Sequence, residues 1–178
     1  LWDGGNNDFP FFVPDLHVVL VDPLRAHEPY HPGEAVLRDA DLVIVTKTDA
    51  ASRDQVDEAR NHARAVNPLA PLYGGRSPVR LASPPPANAR ALVIDDGPTL
   101  THGGMSFGAG YVAARNAGLD IIDPRPFATD ALKQAFETYT HLEHVVPALG
   151  YSPAQLHAIE ALIARSDADV VVSGTPCD

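Results

Sequence analysis

Four groups of residues in this chain, and one further arginine, have types and spacings that can do chemistry. The most conspicuous is Ala91–Gly110, where Asp95 and Asp96 run into a stretch rich in glycine, threonine and histidine. Thr99, Thr101 and Ser106 supply hydroxyls, His102 a titratable ring, and Gly103, Gly104 and Gly108 let backbone come close to a ligand. A strand, a glycine loop and then a helix is the order that aims amides and a helix N-terminus at a phosphate. The spacing fits neither GxGxxG nor GxxxxGK[ST], so a plain glycine turn between strand and helix stays open. The second group is Thr46-Lys47-Thr48-Asp49 after an apolar run. It has the form [N/T]KxD, in which the carboxylate reads a guanine edge while the lysine stem lies along the ring. Ser77, in the small-residue loop Gly74–Pro78, is placed to buttress the same base. A strand-end turn with a helix cap is the alternative.

The third group is Asp3 in LWDGGNND, an acidic residue before glycines, placed as a carboxylate for a hard divalent cation would be. The fourth is Asp22–Glu34, with Arg25, His27, His31 and Glu34 able to contact phosphate or metal. Two histidines four apart suit a metal on a helix, but Pro29 and Pro32 argue for an irregular loop. Arg125, stiffened between Pro124 and Pro126, is either a preorganised fork for an anion or the partner of Asp123 or Asp120.

The elements that must position these groups alternate. Leu16–Asp22, Ala40–Asp49, Pro71–Tyr73, Leu92–Ile94, Leu119–Asp123, Val145–Leu149 and Asp169–Ser173 read as strands. Ser52-Arg53-Asp54-Gln55 and Ser152-Pro153-Ala154-Gln155 are capping boxes that open helices. The expected inward faces are Val56, Ala59, Ala63 and Val66 in the first and Leu156, Ile159 and Ile163 in the second. Thr129–Tyr139 and Ala109–Ala117 complete the helices. Such alternation predicts an α/β chain with a parallel, doubly wound sheet and ligands at strand carboxyl ends. The proline-rich stretch 83–90 separates residues 1–82 from a second α/β domain at 91–178.

With 13 basic against 23 acidic residues, net −10, nucleic acid is not expected as a partner. The longest apolar runs are far too short to span a membrane, and one cysteine, Cys177, permits no internal disulfide; a cytoplasmic protein is expected.

LWDGGNNDFP at the start, VIDDGPTLTHGGMSFGAG and DIIDPRPF in the second half, and VVVSGTPCD at the end resemble the cyclic 2,3-diphosphoglycerate synthetases and their GTPase-like relatives. The resemblance implies a P-loop NTPase-type domain whose phosphate loop lies upstream of Leu1, so that the chain is a fragment, inactive alone. It implies a ligase that uses ATP (or GTP) and Mg2+ to close a phosphoanhydride in a small phosphorylated acid, 2,3-diphosphoglycerate. Asp3 would help hold Mg2+; Thr46, Lys47, Asp49 and Ser77 would line the base pocket. Arg25, His27, His31, Thr99, Thr101, Gly103, Gly104 and Gly108 would hold the substrate, with Arg125 and His102 catalytic. A regulatory or metallochaperone-like GTPase is the rival expectation. An uncovered sheet edge would favour a homodimer.

Overall fold

The structure is a computed structural model that describes residues 1–5, 8–25, 32–148, 150 and 152–175. It is an α/β chain whose strands all pair in parallel, in two separate sheets. The chain divides into two compact units, Leu1–Pro78 and Val79–Asp178.

In the first unit β1 (Val18–Val21), β2 (Leu42–Val45) and β3 (Leu72–Gly74) lie side by side in that order. Val19, Val21, Val43 and Val45 point to one face, where α1 (Glu34–Arg38) and α2 (Arg53–Val66) bury them with Val36, Leu37, Val56, Ala59 and Ala63. This is the stripe expected for α2, with Val66 partly buried at its edge. The opposite face of β1 is partly open: Val18 is 39% and Leu20 57% exposed, and both line a cavity with Leu1, Trp2 and Phe12. The doubly wound arrangement is therefore not met here; the helices described in this unit cover one face only.

Between α2 and β3, Asn67 does more than end a helix. Its amide nitrogen donates to the carbonyls of Leu37, Arg38 and Ala40, at 2.9–3.2 Å, and its oxygen accepts from the amides of Leu69 and Ala70. One side chain thus satisfies the open C-terminal carbonyls of α1 and shapes the turn into β3.

In the second unit β4 (Arg90–Asp96) is the axis. Residues Ala91 to Asp95 are all buried, as expected for a central parallel strand. Its odd-numbered carbonyls receive β5 (Asp120–Ile121), with β6 (Val146–Ala148) further along the same edge, and its even-numbered ones receive β7 (Val170–Gly174). The helices are α3 (Gly97–Thr101), α4 (Ala109–Asn116), α5 (Asp130–Thr138) and α6 (Pro153–Arg165). The α5 sequence predicts Leu132, Phe136 and Tyr139 on its inward face; Leu132 and Phe136 are buried and Tyr139 is half-buried. In α6 the buried residues are Ala158 and Leu162, not Leu156, which is 46% exposed. Ile159 and Ile163 are half-buried beside them, so the inward face is turned by about one residue from the expected one. Among the described residues no helix is long and apolar enough to cross a membrane.

Candidate functional site

Two carboxylates are buried among the described residues, Asp22 and Asp95, each at the carboxyl end of a strand. That edge is where open α/β sheets hold ligands. A buried charge needs a partner, and the two find different ones.

Asp22 is met by Lys47, whose Nζ lies 2.5 Å from Oδ2. Lys47 adopts a left-handed φ of 50°, a conformation that brings its stem back across the end of β1. The rest of the Thr46–Asp49 turn is tied on both sides. Thr46 donates through amide and hydroxyl to the Val21 carbonyl, and Thr48 likewise to the Gly75 carbonyl. Asp49 Oδ1 accepts from the Ser77 amide at 2.9 Å, and Oδ2 stands 3.8 Å from Arg76 Nε. The structure therefore brings Thr46, Lys47, Asp49 and Ser77 together as a braced rim across the ends of β1, β2 and β3. Ser77 takes part through its backbone rather than its hydroxyl.

Asp95 is met by backbone alone. Its carboxylate accepts from the amides of Gly108, Gly110 and Tyr111 at 2.8, 2.7 and 3.2 Å. Burial pushes the Asp95 carboxyl up, the three amides pull it back and Asp96 adds a further push, leaving it above its ordinary range. The anion at the N-terminus of α4 is thus the protein's own. Gly108, Gly110 and Gly174 are small for this reason: a Cβ at any of them would lie 2.1–2.8 Å from an Asp95 oxygen. The rest of the glycine stretch also turns inward. Gly97–Thr101 forms α3 directly after β4, with Asp96 as N-cap to Thr99 amide and hydroxyl. The amides of His102, Gly103 and Met105 donate back to Pro98 and Thr99 carbonyls, and Gly104 supplies a φ of 64°. Thr101 donates its hydroxyl to the Gly97 carbonyl, and His102 Nδ1 lies 3.0 Å from that hydroxyl. A loop with its donors committed in this way is a poor phosphate cradle. Gly103 and Gly108 serve close approach within the chain, and Gly104 the left-handed turn.

Arg125 grips Asp123 through Nε and Nη2 at 2.7–3.1 Å, which holds the Asp123 carboxyl below the usual range. Its fork faces a carboxylate of its own chain. Asp3 is exposed, lines a cavity of about 670 Å3 with Trp2, Asp8 and His17, and has no polar partner among the described residues. Arg25 ends a 3-10 turn over Pro23–Arg25. His27 and His31 lie outside the described residues. No group of three or more His, Cys, Asp or Glu side chains able to hold a metal occurs among the described residues.

Sequence reasoning missed the two pairings that matter most. The signals were present: an acidic residue at the end of each apolar run, Asp22 and Asp95, followed at a distance by a lysine or by glycines.

No family model matches the chain. Over 182 aligned positions, 50% are identical to the protein called arginine synthetase ArcE of Thermococcus kodakarensis. The chain is similar to an arginine synthetase. The alignment takes in all of this chain and 41% of that protein, so the chain spans about two fifths of the relative's length. The relative's name is not that of a cyclic 2,3-diphosphoglycerate synthetase or of a GTPase. The expected family, the 2,3-diphosphoglycerate reaction and the GTPase rival are thereby overturned. The strings that carried them explain the error: THGGMSFGAG is held together by Asp95, and the arginine of DPRPF by its own aspartate. These residues build a local structure, and such a structure serves more than one reaction.

Proposed function

We propose that this chain is part of a nucleotide-dependent ligase that forms arginine, and that its first unit belongs to the nucleotide-binding domain. The 50% identity along the whole chain to a protein named for that synthesis carries the reading. Joining nitrogen to a carbon that bears oxygen requires the oxygen to leave as a phosphate or nucleotidyl group, and ATP is the donor we expect, with Mg2+. A cytoplasmic setting goes with this reading. The braced rim is the nucleotide's side of the site. Thr46 and Lys47 fix the turn, and Asp49, tied to the Ser77 amide and facing Arg76, sets the rim beside which the base would lie. Asp3, a hard oxygen donor without a partner among the described residues, suits Mg2+, which needs only one or two carboxylates beside phosphate oxygens and water.

Calorimetric titration of the chain with ATP and Mg2+, with GTP and Mg2+, and with L-arginine tests this. Saturable binding of a nucleotide and of arginine is expected. Asp49→Asn should weaken GTP by about tenfold or more, and ATP much less, because adenine lacks the adjacent N1–H and 2-amino donors of guanine that one carboxylate reads together. A chain that binds neither nucleotide nor arginine overturns the reading.

A further inference from the structure

Helix α2 carries a second feature that the braced rim does not use. Positions 53, 57, 60 and 64 fall along one stripe of the helix, and they hold Arg53, Asp57, Arg60 and Arg64. A solvated helix face usually matches charges of opposite sign four apart. Here one carboxylate is shared: Asp57 lies 3.9 Å from Arg53 Nε and 3.7 Å from Arg60 Nη1, both beyond hydrogen-bond length. Arg64 has no polar partner among the described residues. Three guanidinium groups thus face one carboxylate, in a chain with 13 basic and 23 acidic residues. This local excess runs against the charge of the whole.

The stripe borders a notch of about 440 Å3 lined by Asp57, Arg60, Asn61, Arg64, Leu72 and Gly74. Its far wall is the free edge of β3. β2 is bonded to the Pro71 carbonyl and the Gly75 amide, so the alternation of the ladder turns the Gly74 amide toward the notch. Gly74 has no side chain to fill it; a Cβ there would stand 3.1 Å from Arg60 Nη2. Two planar guanidinium forks one helical turn apart, a side-chain amide and an outward backbone N–H are a donor set that outnumbers its one nearby carboxylate, Asp57, which stands beyond hydrogen-bond length of Arg60. That set suits a tetrahedral oxyanion, which accepts several charge-assisted bonds at once.

We propose that this notch binds a phosphate group, held chiefly by Arg60 and Arg64. The phosphate is either inorganic or the terminal part of a polyphosphate such as a nucleotide. The site stands on its own residues and does not depend on the ligase reading.

The test is calorimetric titration of the chain at low salt with inorganic phosphate, pyrophosphate and ATP, on the wild type, Arg64→Gln, Arg60→Gln and Arg64→Lys. Arg64→Gln removes no hydrogen bond or ion pair among the described residues, so a loss of affinity reports the site itself. Affinity should fall about tenfold or more in each glutamine variant and partly return in Arg64→Lys. Asp49→Asn should leave phosphate binding unchanged, which separates this site from the nucleotide rim. Phosphate that competes with ATP assigns the notch to a nucleotide's phosphates; phosphate that binds without displacing ATP assigns it to the free anion. No saturable binding of any of the three anions, or equal affinity in both glutamine variants and the wild type, overturns the proposal.

Discussion

Asp95 shows how one buried charge can organise a loop. Desolvating a carboxylate is costly, and three backbone amides compensate only if the chain returns at the right place. It does so because Gly108 and Gly110 leave room. Replacing Asp95 by Ala strands those amides in a buried site, and we expect a loss of about 3 kcal/mol or more, read from urea unfolding. Asp95→Asn should be nearly as harmful, since its NH2 would face an N–H donor. Stability unchanged within error in both variants would show that the amides are served by something else. From the sequence this residue was visible only as the end of an apolar run. Glycines and hydroxyls near a strand end look the same whether they await a ligand or close on their own carboxylate. Only the three-dimensional return of the chain tells the two apart. The place of the Thr46–Asp49 turn at the end of β2 was more legible, because the apolar run before it could be read; the pairing of Lys47 with Asp22 was not.

At the scale of elements, the two capping boxes were plain in the sequence and are formed in the structure, Ser52 with Gln55 and Ser152 with Gln155. Local hydrogen bonding between near neighbours needs no knowledge of the fold. The short helices α1 and α3 were not legible, since each spans five residues and takes its shape from what packs on it. Asn67 was legible only as a helix stop. Its amide in fact serves α1, which lies 27–30 residues earlier in the chain. Asn67→Leu removes donors from three carbonyls and acceptors from two amides, so a loss of about 2–4 kcal/mol is expected. Hydrogen exchange should localise it, with amides of α1 and of the turn before β3 losing protection first. Loss of protection confined to α2 would instead assign Asn67 the narrower role of a cap.

At the scale of the whole molecule, alternating strands and helices predicted an α/β chain with parallel pairing, and that is what forms. The number of sheets and the covering of their faces were beyond reach, because burial depends on neighbours that a pattern does not name. The first sheet keeps one apolar side in water, with Val18 and Leu20 on it. Parallel sheets are ordinarily covered on both sides, so this side has a physical consequence for the isolated polypeptide. It should light up a polarity-sensitive dye in the native state, and Leu20→Lys should dim that signal without lowering the melting temperature. Concentrated samples will then cohere through a patch of oil-like surface, and their scattering will rise as they are warmed, because the force that joins such surfaces strengthens with temperature near ambient.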